Sequence, residues 1–253
     1  MAELNGMRGQ VFRPLPDVLR ADAVADRLTT AIALGLIRQG EQLPVENELS
    51  QMFGVASATV RDALATLRDA GIIETRRGRS GGTFVTGSPS ASQATLHERL
   101  IALSMAELRD LADEQTGVAV ATVRLACERS MPRDIDRLAT IAAGIGDQHT
   151  LEGSARADSK FHIQLAALTQ SERLMQAEIR LQSETVEMLW SVLRTPEDRA
   201  RAAAEHLAIA EAMRAEDIKG AESLASEHIR RNVYRLIDAK LDLTYPETAG
   251  KNA

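Results

Sequence analysis

The sequence predicts a mainly α-helical protein with one small β-hairpin near its N-terminus. Aromatic residues make up only 3% of the 253 residues, so the core must be built from Leu, Ile, Val, Ala and Met. This composition favours packed helices over a large sheet. Apolar residues recur at helical spacing along most of the chain. The length allows one large or two ordinary domains, each with its own core.

Composition also indicates the compartment. The single cysteine, Cys127, excludes an intrachain disulfide framework and fits a reducing environment. No stretch reaches the roughly 18 apolar residues of a membrane span, and the N-terminus lacks the apolar block of a signal peptide. We expect a cytoplasmic protein.

The first 86 residues predict three helices. An amphipathic helix ends by Gly35 and Gly40, and its apolar positions are Val24, Leu28, Ile32 and Leu36. A second helix can start at Pro44 and run to about Phe53. Gly54 suits a left-handed turn, and a third helix then opens at Ala56 or Ser57. Its inward residues are Val60, Leu64 and Leu67.

A basic hairpin follows the third helix, which ends at Gly71. Residues 72–75 and 83–85 read as short strands around an Arg- and Gly-rich loop, 76–82. Helix, turn, helix and a two-stranded wing is the arrangement that lays one helix in the major groove and a hairpin across the backbone. We therefore expect a winged helix-turn-helix DNA-binding domain over residues 14–86. The alternative is a small helical domain with a solvated hairpin.

The net charge of −6 does not exclude DNA binding. Residues 1–90 hold ten Arg, no Lys and ten acidic residues, so the negative excess lies after residue 90. Residues 56–86 hold five Arg against three acids. Local charge attracts phosphate, because fields are screened beyond about 10 Å in physiological salt.

The segment from Leu43 to Leu64, with Gly71 and the run Arg76-Arg77-Gly78, resembles the winged helix-turn-helix of GntR-family transcription regulators over residues 17–86. Asn47 stands where that family often carries Arg. The resemblance and the exposed positions together imply a DNA-contacting set: Asn47, Ser57, Thr59, Arg61, Arg76, Arg77, Gly78 and Arg79.

The remainder predicts an all-α helical bundle. Residues 87–98 read as a small polar linker, and residues 99–245 as six or seven helices. Expected breaks fall near Pro132, Gly144–Gly146, Gly153, Pro196 and Gly220. The tail, 246–253, is polar and expected to be frayed or disordered.

Four residues of this bundle suit a metal site. Asp158 and His162 are four apart, on one face of a helix. His206 and His228 lie 11 residues before and after Asp217, the expected N-cap between two antiparallel helices. Both are therefore about 16 Å from the turn and level with each other. Three imidazoles and a carboxylate suit divalent Zn, Ni, Mn or Fe. A lone histidine is more often structural or solvated, and His97 and His149 are assigned to that class.

The motif Asp158-Ser-Lys-Phe-His162, with His206 and His228, is similar to the metal-binding pattern of the FCD effector domain of the FadR subfamily. That resemblance implies a bound metal that helps to hold a small carboxylate effector, with Arg124 as its charge partner. Arg124 could equally be a surface or ion-paired residue. Glu205 and Glu227 each precede a ligand candidate and are expected beside the site or at the surface.

The sequence thus predicts a ligand-responsive, homodimeric transcription regulator, a repressor, that binds double-stranded operator DNA and a small organic acid. Two alternatives remain. One is a metal-dependent hydrolytic enzyme, against which stand the absence of an HExxH motif and of an obvious general base. The other is a regulator that senses the metal ion itself.

Overall fold

The computed structural model describes residues 21–78, 81–87 and 91–245, which belong to two compact units that meet in sequence at Ser90 and Ala91. Four predicted features lie wholly or partly outside the described residues: the first part of the DNA-binding domain (14–20), Arg79 on the wing, residues 88–90 of the linker, and the tail (246–253).

Three helices build the first unit: α1 (Ala21–Ala33), α2 (Glu46–Phe53) and α3 (Ser57–Asp69). Helix α1 packs against α3, and the apolar stripes predicted for both lie in one buried core, except that Leu36 follows the end of α1 and is only partly buried. Helix α2 begins two residues later than the start predicted at Pro44. Val45 is extended there (ψ 156°) and serves as the N-cap, with its N–H donating to Glu48 Oε2 at 3.1 Å.

The turn between α2 and α3 depends on Gly54. Its backbone is left-handed (φ 66°, ψ 34°), a conformation that glycine adopts without steric cost. The Gly54 N–H donates to the Ser50 carbonyl, and the Ser50 hydroxyl donates to the Val55 carbonyl at 2.6 Å. These contacts fix the angle at which α3 leaves the turn.

The predicted wing is an antiparallel hairpin of β1 (Ile73–Arg76) and β2 (Gly82–Val85). Ile73 pairs with Val85, and Arg76 pairs with Gly82. Gln42, before α2, forms an isolated bridge with Phe84. A side chain at Gly81 would lie 2.6 Å from the Arg76 carbonyl, so the tip of the wing excludes a Cβ at this position.

The described part of the second unit contains seven helices and no strand. They are α4 (Gln93–Ala102), α5 (Met105–Arg129), α6 (Pro132–Ala143), α7 (Leu151–Leu168), α8 (Glu172–Val192), α9 (Pro196–Arg214) and α10 (Ile218–Thr244). Helix α4 begins inside the segment expected as a linker. Gly153 and Gly220, expected as breaks, lie in the first turns of α7 and α10.

Side-chain caps start most of these helices. At each, a hydroxyl or carboxylate accepts from a free backbone N–H of the first turn; the caps are Ser92, Ser104, Thr150, Ser171, Thr195 and Asp217. Asp217 is the N-cap that the sequence predicted between the two His-bearing helices. Its carboxylate accepts from the Gly220 N–H at 2.9 Å.

Helix α7 lies at the centre of the second unit. Ten of its residues are buried, including Asp158 and His162, as expected for a helix covered on most sides. It packs against α8, α6 and α5, while α10 runs beside α5 and α9. Polar groups on α7 must therefore find partners inside the bundle. Within the described residues, no helix has the length and apolar character needed to cross a membrane.

Candidate functional site

Three helices of the second unit bring the four ligand candidates to one point. Helix α7 supplies Asp158 and His162, α9 supplies His206, and α10 supplies His228. All four side chains are buried, and one ligand atom from each lies within 4.8 Å of the others. His206 and His228, which the sequence places at equal distances from Asp217 on two helices, have ring centroids 4.4 Å apart.

The contacts inside the cluster are short. His206 Nε2 lies 3.1 Å from His162 Nε2 and 3.5 Å from Asp158 Oδ1. Burial lowers the pKa of His162 to about 3 and that of His206 well below its ordinary value, and the charge of His228 adds to both effects. Both imidazoles are therefore neutral at physiological pH, as metal ligands must be.

Burial acts in the opposite direction on the two acids of the region. It raises the pKa of Asp158 to about 6, partly offset by His228 and by the indole of Trp190. It raises the pKa of Glu178 to about 7, and Glu178 Oε1 lies 3.9 Å from His162 Nδ1. Little positive charge thus lies near the buried carboxyl groups of Asp158 and Glu178. A divalent cation would supply it.

His228 is held on both edges of its ring. Its Nδ1 lies 2.8 Å from Glu205 Oε2, and its Nε2 lies 3.1 Å from Asn232 Nδ2. Glu205 also pairs with Arg231 at 3.4 Å and with Arg235 at 3.9 Å. A carboxylate on the far nitrogen of a ligand histidine is the usual support of a protein metal site.

These residues fit a divalent metal ion. Three imidazoles and a carboxylate are a donor set typical of Zn and its neighbours. The 3.1 Å approach of two buried ring nitrogens is the separation expected of two ligands about 2.1 Å from one ion. Asp158, His162, His206 and His228 would hold that ion, and Glu205 would support it from behind.

Two small cavities border the cluster, each with room for about one water molecule. One is lined partly by Thr122, Glu178 and His228, and the buried Thr122 hydroxyl has no hydrogen-bond partner in the described structure. The other has a polar wall of Gln115, Asp158, His162, Gln182, Thr185 and Asn232. Neither cavity has Arg or Lys among its described lining residues.

Arg124, the residue predicted as the charge partner of an effector, is not among the described lining residues of either cavity. Its side chain is 62% exposed and pairs with Glu128 at 3.5 Å and with Glu222 at 3.7 Å. Its neighbours Thr122 and Val123 face inward instead. The face of α5 that meets the cavity is set by tertiary packing, and Arg124 lies on the opposite side.

Sequence reasoning missed several polar residues beside the cluster. Asn232 follows His228 by four residues, so its place on the same helical face was readable. Gln115 and Thr185 come from α5 and α8 and bond to each other at 3.0 Å. Their sequence context carries no signal for a site.

The first unit presents the predicted DNA-contacting residues at its surface. Asn47 on α2 and Arg61 on α3 are exposed, and Ser57 and Thr59 are half-buried at the start of α3. Arg61 Nε pairs with Glu46 at 3.4 Å. This pair is solvent-exposed and worth little in water, so phosphate could displace it.

The described wing residues Arg76, Arg77 and Gly78 are also exposed. The Arg76 guanidinium pairs with Glu74 at 2.6 Å and stacks over the Phe84 ring, 4.5 Å from its centroid. Arg68, at the end of α3, donates to Thr75 Oγ1 at 3.1 Å and so joins α3 to the wing. A helix and a hairpin of this kind can approach a duplex together.

Two family models match this chain. The model described as "Bacterial regulatory proteins, gntR family" matches residues 20–85, and the model "FCD domain" matches residues 110–231. The first match covers the three helices and the hairpin of the first unit. The second covers all four ligand candidates.

Relatives of known description agree with these matches. RmpR of Mycobacterium gastri, described as an HTH-type transcriptional regulator, is 48% identical over 250 residues, which are 98% of this chain and 91% of RmpR. NanR of Escherichia coli, described as an HTH-type transcriptional repressor, is 27% identical over 86% of this chain and 84% of its own. Both similarities extend across both units.

Solved structures share the fold. Escherichia coli McbR/YncC superimposes with a TM-score of 0.53 at 15% sequence identity, covering 87% of this chain and 98% of its own. At this identity the likeness concerns the architecture alone.

Proposed function

Because this chain belongs to the GntR family of bacterial regulatory proteins and carries an FCD domain, it is a DNA-binding transcription regulator and not an enzyme, and we propose that it is a cytoplasmic repressor controlled by a small carboxylate. In this proposal the second unit binds a divalent metal ion and the effector. The first unit binds double-stranded operator DNA, and two copies act together on two half-sites.

One observation carries the metal and effector part of the proposal: the buried cluster of Asp158, His162, His206 and His228 beside two small cavities. The described cavity linings contain no Lys or Arg. A bound carboxylate would therefore take its counter-charge from the metal, while Gln115 and Thr185 offer groups for its polar part. The effector changes DNA binding only if it binds the two states of the regulator with different affinity.

A regulator that senses the ion itself is the second candidate, because the ligand set alone is specific enough to hold a metal. The two candidates differ in what controls operator affinity. In the first, metal-loaded protein releases DNA only when an acid is added. In the second, metal addition alone is sufficient.

Gel shift on DNA from the protein's own promoter region tests the DNA-binding part. We expect wild-type protein to bind, and Arg61→Ala and Arg77→Ala to weaken binding at least tenfold, on the scale of about 1–3 kcal/mol for each lost guanidinium contact. Arg173→Ala, an exposed Arg of the second unit, is the matched control and should bind as wild type. Equal binding by all four proteins would contradict the assignment of α3 and the wing.

Metal content tests the second part. We expect one divalent ion per chain in wild-type protein and in His149→Ala, whose side chain is exposed. His206→Ala should lose the ion on dialysis, because a ligand is removed. Retention of the ion by His206→Ala would rule out this cluster as its site. Adding citrate or lactate to metal-loaded and chelated protein in the same gel shift separates effector control from direct metal control.

A further inference from the structure

Each ring nitrogen of His228 lies within hydrogen-bond distance of a side chain. Glu205 Oε2 lies 2.8 Å from Nδ1, and Asn232 Nδ2 lies 3.1 Å from Nε2. The ring is 2% exposed, so water cannot readily replace either partner. These two residues therefore determine which ring nitrogen of His228 carries a proton and which has a lone pair.

Glu205 determines which nitrogen carries the proton. Its Oε1 faces two guanidinium groups, with Arg231 Nη1 at 3.4 Å and Arg235 Nη2 at 3.9 Å, which pair with it as a carboxylate. An ionised carboxylate only accepts hydrogen bonds. The Nδ1 of His228 must then donate to Glu205, which leaves the Nε2 lone pair for a ligand.

Asn232 directs a donor at that lone pair. Arg235 Nη1 donates to Asn232 Oδ1 at 3.4 Å, which orients the amide so that its Nδ2 faces His228. Arg235 Nη2 also lies 3.9 Å from Glu205 Oε1. The same arginine thus holds both partners of the histidine in place.

We propose that Glu205 and Asn232 act in opposition on His228: Glu205 presents the Nε2 lone pair to the metal, and Asn232 competes with the metal for it. A lone pair that accepts from an amide N–H cannot at the same time bind an ion. Metal binding therefore releases the Asn232 amide. This inference rests on the metal site of the proposed function.

The released amide has a defined place to act. Asn232 lines the cavity that also contains Gln115, Thr185 and Asp158. Once it leaves His228, its N–H groups can donate to an oxygen of an effector beside the metal. Asn232 thereby makes the cavity more attractive to an acceptor-bearing ligand only after the metal has bound.

The two residues predict opposite changes in metal affinity, measured with Zn²⁺ by competition with a chelating dye on the full-length protein. Glu205→Ala should bind Zn²⁺ about 10–100-fold more weakly, as expected when the carboxylate partner of a ligand histidine is lost. Glu205→Gln still accepts from Nδ1 but carries no charge, so its affinity should lie between those of Glu205→Ala and wild type. Glu227→Gln is the control. Glu227 is exposed on α10, next to His228, and this variant should bind Zn²⁺ as wild type does.

Asn232→Ala should bind Zn²⁺ about fivefold more tightly, because the ion no longer displaces a hydrogen bond worth about 1 kcal/mol. Asn232→Leu keeps the branched shape of the side chain, removes the donor, and should show the same gain if the alanine variant is poorly folded. Asn47→Ala in the first unit is the matched asparagine control, with no expected change. Circular dichroism of each metal-free variant verifies that it is folded.

The outcomes separate the inference from the proposed function. If wild-type protein binds no Zn²⁺, Ni²⁺ or Mn²⁺, the metal site itself is wrong. If wild-type protein binds metal but both Asn232 variants bind it equally or more weakly, the competition is overturned. If Glu205→Ala binds as wild type, Glu205 does not position His228.

Discussion

At the scale of single residues, Asp158 shows how the centre of the second unit is balanced. It is 3% exposed, on a helix buried on most sides. A carboxylate in such a place is costly unless charge and hydrogen bonds compensate it. The Trp190 indole lies against it and lowers its pKa, although the indole N–H makes no hydrogen bond of regular geometry.

This contact predicts a spectroscopic signal. Trp190 is the only tryptophan of the chain, so tryptophan emission, excited selectively over the two tyrosines, reports on the surroundings of Asp158. Adding Zn²⁺ to metal-free protein should change the emission, because the ion draws the negative charge of Asp158 away from the indole. The change should saturate at one ion per chain. An unaltered response in His206→Ala would show that the signal arises elsewhere.

At the scale of elements, glycine is favourable at a left-handed helix end and unfavourable in the interior of a helix. Gly54 is left-handed (φ 66°) at the turn between α2 and α3. Gly117 lies inside α5, is exposed, and has nothing within 4 Å of where a Cβ would stand. The same substitution should therefore have opposite effects at the two positions.

We expect Gly54→Ala to destabilise the first unit by about 1–2 kcal/mol, the cost of a Cβ in a left-handed backbone. Gly117→Ala should stabilise the second unit by about 0.5–1 kcal/mol, because alanine loses less backbone freedom in a helix. Urea unfolding followed by circular dichroism measures both. A loss of stability in Gly117→Ala would mean that this face of α5 is covered in the folded protein.

Helix boundaries show which parts of the fold were readable from the sequence. The breaks at Pro132, Gly144–Gly146 and Pro196 were predicted, because these residues interrupt a helix by their own geometry. The break before α5 was missed, although Ser104 and Glu107 form a readable capping box. The break before α8 was also missed: its left-handed residue is Gln170 (φ 52°) rather than a glycine, and its one local signal is the N-cap Ser171.

The sequence likewise predicts part of the candidate metal site. The level placement of His206 and His228 follows from helix rise and the cap at Asp217, both local properties. The sequence left open whether Arg124 and Glu205 face the site or the surface, and the two uncertainties have a common cause. Both depend on how helices α5, α9 and α10 rotate against their neighbours, and spacing along one helix does not determine that rotation.

At the scale of the whole molecule, the ligand candidates connect helices that are distant in sequence. An ion held by α7, α9 and α10 would cross-link the centre of the second unit. Any ligand that binds only the folded state adds to its stability, by about 2.7 kcal/mol at a free concentration one hundred times Kd. The first unit contains no residue of this cluster.

Chelation should therefore affect the two units differently. We expect removal of the metal to lower the melting temperature of the second unit and to leave the transition of the first unit unchanged. Differential scanning calorimetry of wild-type protein with and without a chelator measures both transitions, and His206→Ala should already melt at the chelated position. A downward shift of both transitions together would show that the units unfold as one.

The distribution of the ligands along the chain also determines when a new molecule can take up its ion. During synthesis Asp158 and His162 leave the ribosome first, His206 follows, and His228 comes in α10, the last helix of the described structure. The set is complete only after α10 has been made and has packed beside α5 and α9. In the proposed function, metal uptake therefore follows the synthesis of α10, and the ion available at that moment selects which molecules become responsive.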